Sequence, residues 1–178
     1  MVDLALLQSV SYIAGAVGVC LAAAYYIINL GESRKNRKIT LTTNLMQMFQ
    51  TPDTMKHMLE FLHMEWNDYG DFEAKYGTEN NIESASVRLS MWQSLSTLGE
   101  LLRVGLVDED TIYSAMGWSV AALWQKFESV VKEHRKRYMS IDQWSGFEYL
   151  GDRMYARISR VDSGYKIPAT YDKFLPNK

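Results

Sequence analysis

The sequence predicts an all-α protein: one N-terminal transmembrane helix followed by an antiparallel helical bundle. Three observations predict it. From Leu4 to Gly31 no side chain is charged, although the 178 residues include 19 Lys and Arg and 21 Asp and Glu. Every charge except Asp3 therefore falls from Glu32 onward, at the density of a soluble domain. Beyond Glu32 the apolar residues recur at helical spacing, and no stretch alternates as a half-buried strand would. The composition, 47% hydrophobic with a net charge of -2, excludes disordered, collagen-like and disulfide-stapled chains. Near-neutrality also argues against a general polyanion binder.

A hydrocarbon core of about 30 Å needs about 20 helical residues. Val10 to Leu30 meet that length without a charge. Their polar residues, Ser11, Tyr12, Tyr25, Tyr26 and Asn29, lie toward the two ends, where tyrosine suits the interface. A cleavable signal peptide would need a basic start and a shorter apolar core. Here Asp3 leads, no Lys or Arg precedes Arg34, and Tyr25 to Leu30 continue past the cleavage-like Ala22-Ala23-Ala24. Residues 1–31 are therefore expected to form a retained anchor. Arg34, Lys35, Arg37 and Lys38 follow at once. The positive-inside rule then places the N-terminus outside and the C-terminal domain in the cytoplasm, single-pass in the cell (inner) membrane. The same cations suit anionic headgroups at about 1 kcal/mol each, although a topology signal alone accounts for them. Ala14, Gly15, Gly18 and Ala22 form a small-residue stripe that would let another membrane helix approach closely. Cys20, the one cysteine, lies inside the apolar run and reads as a small inert hydrophobe.

Residues 32–50 are expected as a basic juxtamembrane helix, because Ile39 to Gln50 contain no breaker and the membrane helix can run on as one rod. Residues 51–160 are expected as the cytoplasmic bundle. Thr51-Pro52-Asp53 reads as a helix start: a hydroxyl cap, proline in the first turn and an acid facing the dipole. Met55, Met58, Leu59, Leu62 and Trp66 form its apolar face. Asn67 to Asn81, with Gly70 and Gly77 among aromatic residues, reads as a structured connection holding a short helical turn. Met91, Leu95, Leu98 and Leu102 make the next stripe, which stops at Gly105. Asp108 caps a long helix carrying Ile112, Met116, Val120, Leu123, Phe127 and Val130. Ser140-Ile141-Asp142-Gln143 resembles a capping box, opening a last helix with Phe147, Leu150, Met154 and Ile158 inward. Residues 161–178, with Gly164, Pro168 and Pro176, are expected as an extended or partly disordered tail.

Several patterns bear on chemistry. Glu60 and His63 have the Glu-x-x-His spacing of di-iron bundles, but such sites need a second pair, and none occurs. His57 and His63 lie about 240° apart around a helix. Glu100 and Glu148 sit beside aliphatic and aromatic residues and are the candidate buried carboxylates. Two of them facing one cavity could do acid–base work, yet pairing with Arg103, Arg135 or Arg153 explains them with less machinery. Lys132 to Arg137 is a basic run that a helix C-terminus favours by itself, so no nucleic-acid partner is expected. Trp66, Trp92, Trp118, Trp124 and Trp144, with ten methionines, fit a bundle core. No catalytic residue, metal ligand or cofactor is assigned, and no specific small molecule is identifiable.

The ordered residues also resemble a family. The N-terminal span with its Arg/Lys stop, Phe72-Glu73-Ala74-Lys75-Tyr76-Gly77 and Leu98-Gly99-Glu100-Leu101-Leu102-Arg103-Val104-Gly105-Leu106-Val107-Asp108 carry the likeness. So do Trp124, Arg135 and Phe147-Glu148-Tyr149-Leu150. Together they resemble the small prokaryotic membrane-anchored proteins of the domain of unknown function 4760 type, over most of the chain to about Ile158. The resemblance implies a helical fold, a single span and a prokaryotic inner membrane, and it transfers no site residue.

The functional expectation is a non-enzymatic, membrane-anchored adaptor or accessory subunit. Its partners would be the lipid bilayer and another membrane protein or a second copy of itself. The alternative is a membrane-tethered small-molecule sensor or enzyme with an aromatic and carboxylate-lined cavity in the bundle.

Overall fold

The computed structural model describes residues 4–166, with six α-helices and no strand among them. Helix α1 spans Leu4–Phe49, α2 Pro52–Leu62, α3 Tyr69–Tyr76, α4 Ile82–Arg103, α5 Glu109–Arg137 and α6 Ser145–Val161. The chain divides into two compact units, residues 1–40 and 41–178. The first is the apolar part of α1. It is long and apolar enough to cross a membrane, with a mean hydropathy of 1.9 and no part of that window buried within the protein.

The second unit is the helical bundle, and it starts at Leu41 rather than at Thr51. Thr42, Met46 and Phe49 are buried, so the last turns of α1 belong to its core. Local signals set most of the other ends. The Thr51 hydroxyl accepts from the Thr54 N–H, and Pro52 opens α2 where its missing N–H costs nothing. Asp68, Asn81 and Asp108 cap α3, α4 and α5 in the same way. Helix α4 ends in a Schellman motif: Leu106 N–H donates to the Leu101 carbonyl at 2.9 Å and Gly105 N–H to that of Leu102 at 3.0 Å. Gly105 sits at φ +73°, a conformation that glycine adopts without steric penalty.

The start of α6 differs from expectation. Ser140 and Gln143 do bond to each other, side chain to side chain at 2.8 Å, but they close a turn and not a helix start. Helix α6 begins at Ser145, after Trp144 in the left-handed region at φ 58°, with no side-chain cap. Burial of the Trp144 ring, 5.0 Å from that of Trp92, outweighs the local capping preference. In α2 the inward face also turns slightly. Phe61 is buried with Met58 and Leu62, Met55 and Leu59 stay half exposed, and Trp66 is buried beyond the helix end. The stripes expected on α4, α5 and α6 are all buried. Of the expected tail, Val161 still belongs to α6, Tyr165 packs against Tyr155, and 167–178 lie outside the described residues.

Helix α6 packs closely against both α4 and α5, and missing side chains make this possible. A Cβ added at Gly99 would collide with the Gly146 carbonyl, one at Gly146 with the Ser96 carbonyl, and one at Gly151 with the Trp124 side chain. All three obstacles are backbone or a buried indole root, which have little freedom to move. Helices α2 and α3 close over α4 and α5 through aromatic contacts. The Trp66 and Phe72 rings lie 5.3 and 6.3 Å from Phe127, and Trp92 lies 5.2 Å from it.

Gly146→Ala should lower the stability of the detergent-solubilised chain by about 3 kcal/mol, the upper range for overpacking, read from urea unfolding by tryptophan fluorescence. Gly18→Ala, with nothing within 4 Å of the added carbon, should leave that midpoint unchanged. Equal effects would remove the close-approach account of α6.

Candidate functional site

An open groove of about 680 Å³ lies between the end of α1, α2 and α4. Leu45, Met48 and Phe49 of α1 form one wall, and Val87, Met91 and Leu98 of α4 the other. Along its α4 side runs a row of small hydroxyl residues, Ser86, Ser90, Ser94 and Thr97. Three of these hydroxyls turn back onto their own helix: Ser86 to the Glu83 carbonyl, Ser94 to Ser90 and Thr97 to Gln93, at 2.8 to 3.0 Å. The groove therefore offers methylenes and the thioethers of Met48 and Met91, with three of its four α4 hydroxyls bonded within their own helix. Such a surface admits an apolar helix at close range more readily than a charged small molecule.

Two buried cations hold the wall that α2 and α3 contribute to the bundle. Lys126 on α5 is 1% exposed, and its Nζ donates to the Leu62 carbonyl, the last of α2, at 2.9 Å, with the Trp66 ring 5.1 Å away. Arg88 on α4 is 3% exposed and donates to the Tyr76 carbonyl, the last of α3, at 2.7 Å. Its guanidinium lies 4.6 Å from the Phe72 ring and 5.2 Å from that of Trp92. Each cation meets the negative end of a helix dipole and the face of an aromatic ring. Burial nevertheless pushes Arg88 down to about 10 and Lys126 down to about 8, with Glu65 partly opposing the latter.

A second, shallower cleft of about 540 Å³ lies at the far end of α5. His134 faces it between the rings of Tyr138, at 4.4 Å, and Trp144, at 5.0 Å. Its Nδ1 lies 3.5 Å from the Tyr69 hydroxyl. Burial lowers the His134 pKa, so the imidazole is neutral at pH 7. Burial first, then a hydrogen bond to Glu73, raises that of Tyr69. Gln93, Gln143, Ser140 and Thr78 complete the lining. Sequence patterns missed this group because its members come from four separate segments and share no spacing.

The candidates from sequence fall elsewhere. Glu100 and Glu148 are not buried: their side chains are 45% and 30% exposed, and they point to different neighbours. Glu100 pairs with Arg103 at 3.0 Å and accepts from the Ser145 hydroxyl, while Glu148 pairs with Arg135. Each carboxylate is held by its own arginine, Glu100 with Arg103 at the bundle surface and Glu148 with Arg135 in a part-buried pair, and neither lines the groove or the cleft described above. The four cations of the basic run are all paired: Lys132 with Glu128, Lys136 and Arg137 with Glu133, and Arg135 with Glu148. His57 pairs with Glu60 at 3.0 Å within α2, and His63, the residue that caps the end of α2, bonds the Leu59 carbonyl at 2.7 Å. Among the described residues no group of three or more His, Cys, Asp and Glu could hold a metal ion. Ala14, Gly15, Gly18 and Ala22 stay exposed on α1, as do Arg34, Lys35 and Arg37, with Lys38 half exposed.

A family model, Domain of unknown function (DUF4760), matches residues 13–154. The chain belongs to this family. Neither the curated proteins nor the solved structures contain a match. The segment matched by the family model begins inside the apolar helix and ends in α6, so it takes in most of that helix, the groove and both buried cations.

An amine held at about 8 when folded and 10.5 when unfolded binds its proton less tightly in the native state. Between those values the unfolded chain carries more protons, so stability rises with pH across that window. Tyr69, kept neutral by burial, acts in the opposite sense only above its ordinary 10.0. Wild-type urea midpoints should therefore climb from pH 8 to pH 10, and Lys126→Met should flatten the climb. An unchanged slope in the variant would show that Lys126 does not titrate there.

Proposed function

We propose that this DUF4760 protein is a non-enzymatic, membrane-anchored helical adaptor or accessory subunit. Its bundle receives an apolar helix of another membrane protein, or of a second copy, in the groove between α1, α2 and α4. The observation that carries this reading is the groove itself: an open apolar concavity with a small-residue floor, walled by the same helix that supplies the anchor. Met48 at its edge is 65% exposed, an apolar surface of the kind that marks an interaction site. Ala14, Gly15, Gly18 and Ala22 would assist assembly within the bilayer. The proposed location is the inner membrane of a prokaryotic cell, N-terminus outside and bundle in the cytoplasm, on the charge asymmetry of Arg34, Lys35, Arg37 and Lys38.

Native mass spectrometry after mild detergent extraction tests this. The wild-type chain should be released with a partner or as a dimer. Ser90→Trp or Ser94→Trp, both at exposed positions in the groove, should abolish that species while circular dichroism stays unchanged. A strictly monomeric wild type without any co-purifying protein would overturn the reading.

One observation favours a second reading, a membrane-tethered small-molecule sensor or enzyme. It is the His134 cleft, where a neutral imidazole, two aromatic rings and two amides face one space. A small molecule retained by wild type and lost in His134→Ala would support it; a wild type that retains none would remove it.

A further inference from the structure

Four of the ten methionines converge inside the bundle unit. Met46 near the end of α1, Met55 and Met58 on α2, and Met116 on α5 line one cavity of about 30 Å³. The spacing of Met55 and Met58 makes them neighbours on one helix face. Met46, Met58 and Met116 are buried in the core, whereas Met55 is 44% exposed. Three thioethers are thus held inside and the fourth reaches solvent. Among the described residues no Leu, Ile or Val lines this cavity, although these types fill much of the remaining core. Methionine is flexible enough to fill an irregular gap, yet here four of them surround one.

The donor set decides what such a space can hold. No charged side chain lines it among the described residues; beside the sulfurs stand only the Gln50 amide and the Ser119 hydroxyl as polar groups. Thioether sulfur is a weak hydrogen-bond acceptor but a good ligand for a soft cation. Magnesium and calcium require oxygen ligands, and zinc takes thiolate, imidazole or carboxylate. Copper(I) accepts thioethers. Neutral ligands leave its single charge to be buried, half of what a divalent ion would bring into the same apolar surroundings. The flexible side chains can turn their sulfurs inward without a backbone shift.

We propose that Met46, Met55, Met58 and Met116 form a site for a soft monovalent metal ion, copper(I) in the cell, with Met55 as the ligand at its entrance. The site goes beyond the adaptor reading and does not depend on it. A bound ion would join the end of α1 to α2 and α5. Phe49 lines both this cavity and the groove, so occupancy would bear on one groove wall.

The test uses the full chain in detergent, in a Cys20→Ala background so that the exposed thiol does not compete. Silver(I) in chloride-free buffer serves as the air-stable probe. Calorimetry should read one ion per chain, bound equally well at about pH 5 and pH 8, the range across which a histidine ligand would lose its proton. Copper(I) under reducing conditions should displace the silver. Methyl-labelled methionine NMR should show Met46, Met55, Met58 and Met116 shifted, with exposed Met48 and Met139 unmoved. Met58→Leu combined with Met116→Leu, which conserves volume, should lose the binding while circular dichroism stays unchanged. Met55→Leu, at a half-exposed position that folding does not depend on, should weaken it. A wild type that binds no silver stoichiometrically overturns the site, as does undiminished binding in both variants or silver that copper(I) fails to displace. Shifts confined to Met48 and Met91 would put the ion in the groove, and binding lost at the lower pH would put it on His57 or His63; either overturns the proposal.

Discussion

Helices α2 and α3 have 11 and 8 residues, too short to persist in water on their own propensity. What keeps them in place is a pair of cations taken out of solvent. Lys126 reaches from α5 to the last carbonyl of α2, and Arg88 reaches from α4 to the last carbonyl of α3. A buried charge is costly unless its partners are well placed, and here those partners are the unsatisfied ends of two helix dipoles, roofed by Trp66, Phe72 and Trp92. The dependence runs both ways. Without the cations the two terminal carbonyls lose their donors, and without α2 and α3 the cations would sit beneath nothing that could stabilise them. The lowered pKa values of both groups mark what remains of the desolvation cost.

That arrangement also fixes the groove. Helix α2 supplies Thr54 and His57 to its lining, and the position of α2 is set at its other end by Lys126. On the far side of α4, the glycine contacts with α6 fix how that helix sits. Helix α4 is thus clamped by backbone-to-backbone approach on one side and left lined with small hydroxyl residues on another. Ser86, Ser90, Ser94 and Thr97 are not core residues that failed to be apolar. They are a face from which bulk is withheld, and their hydroxyls are largely satisfied within the helix.

The helical elements were legible in the sequence because their determinants are local. Thr51 and Asp108 cap where their side chains suggest, Gly105 stops α4, and the stripe from Ile112 to Val130 is buried as its period requires. Legibility failed where a distant partner decided the outcome. Ser140 to Gln143 carry a helix-start signal, yet packing of the Trp144 ring against Trp92 and His134 moves the start to Ser145. Glu100 and Glu148 look buried from their apolar neighbours, but both stay partly exposed, each paired with a different arginine, Arg103 or Arg135. Lys126 and Arg88 drew no notice, since each lies in an amphipathic helix where a cation normally faces water. Only the meeting of α5 with α2, and of α4 with α3, makes them buried. The groove was equally invisible, because it exists between three helices and its residues have no common spacing along the chain.

Under the proposed reading, attachment to a membrane would change what a groove of this kind must accomplish. A free bundle would need a large, highly complementary surface to capture an apolar helix, because association sacrifices translational freedom. Residence of both partners in one bilayer removes much of that loss and turns a weak contact into an effectively intramolecular one. A shallow groove with aliphatic walls and a hydroxyl floor is then sufficient, and its low relief tolerates more than one helix sequence.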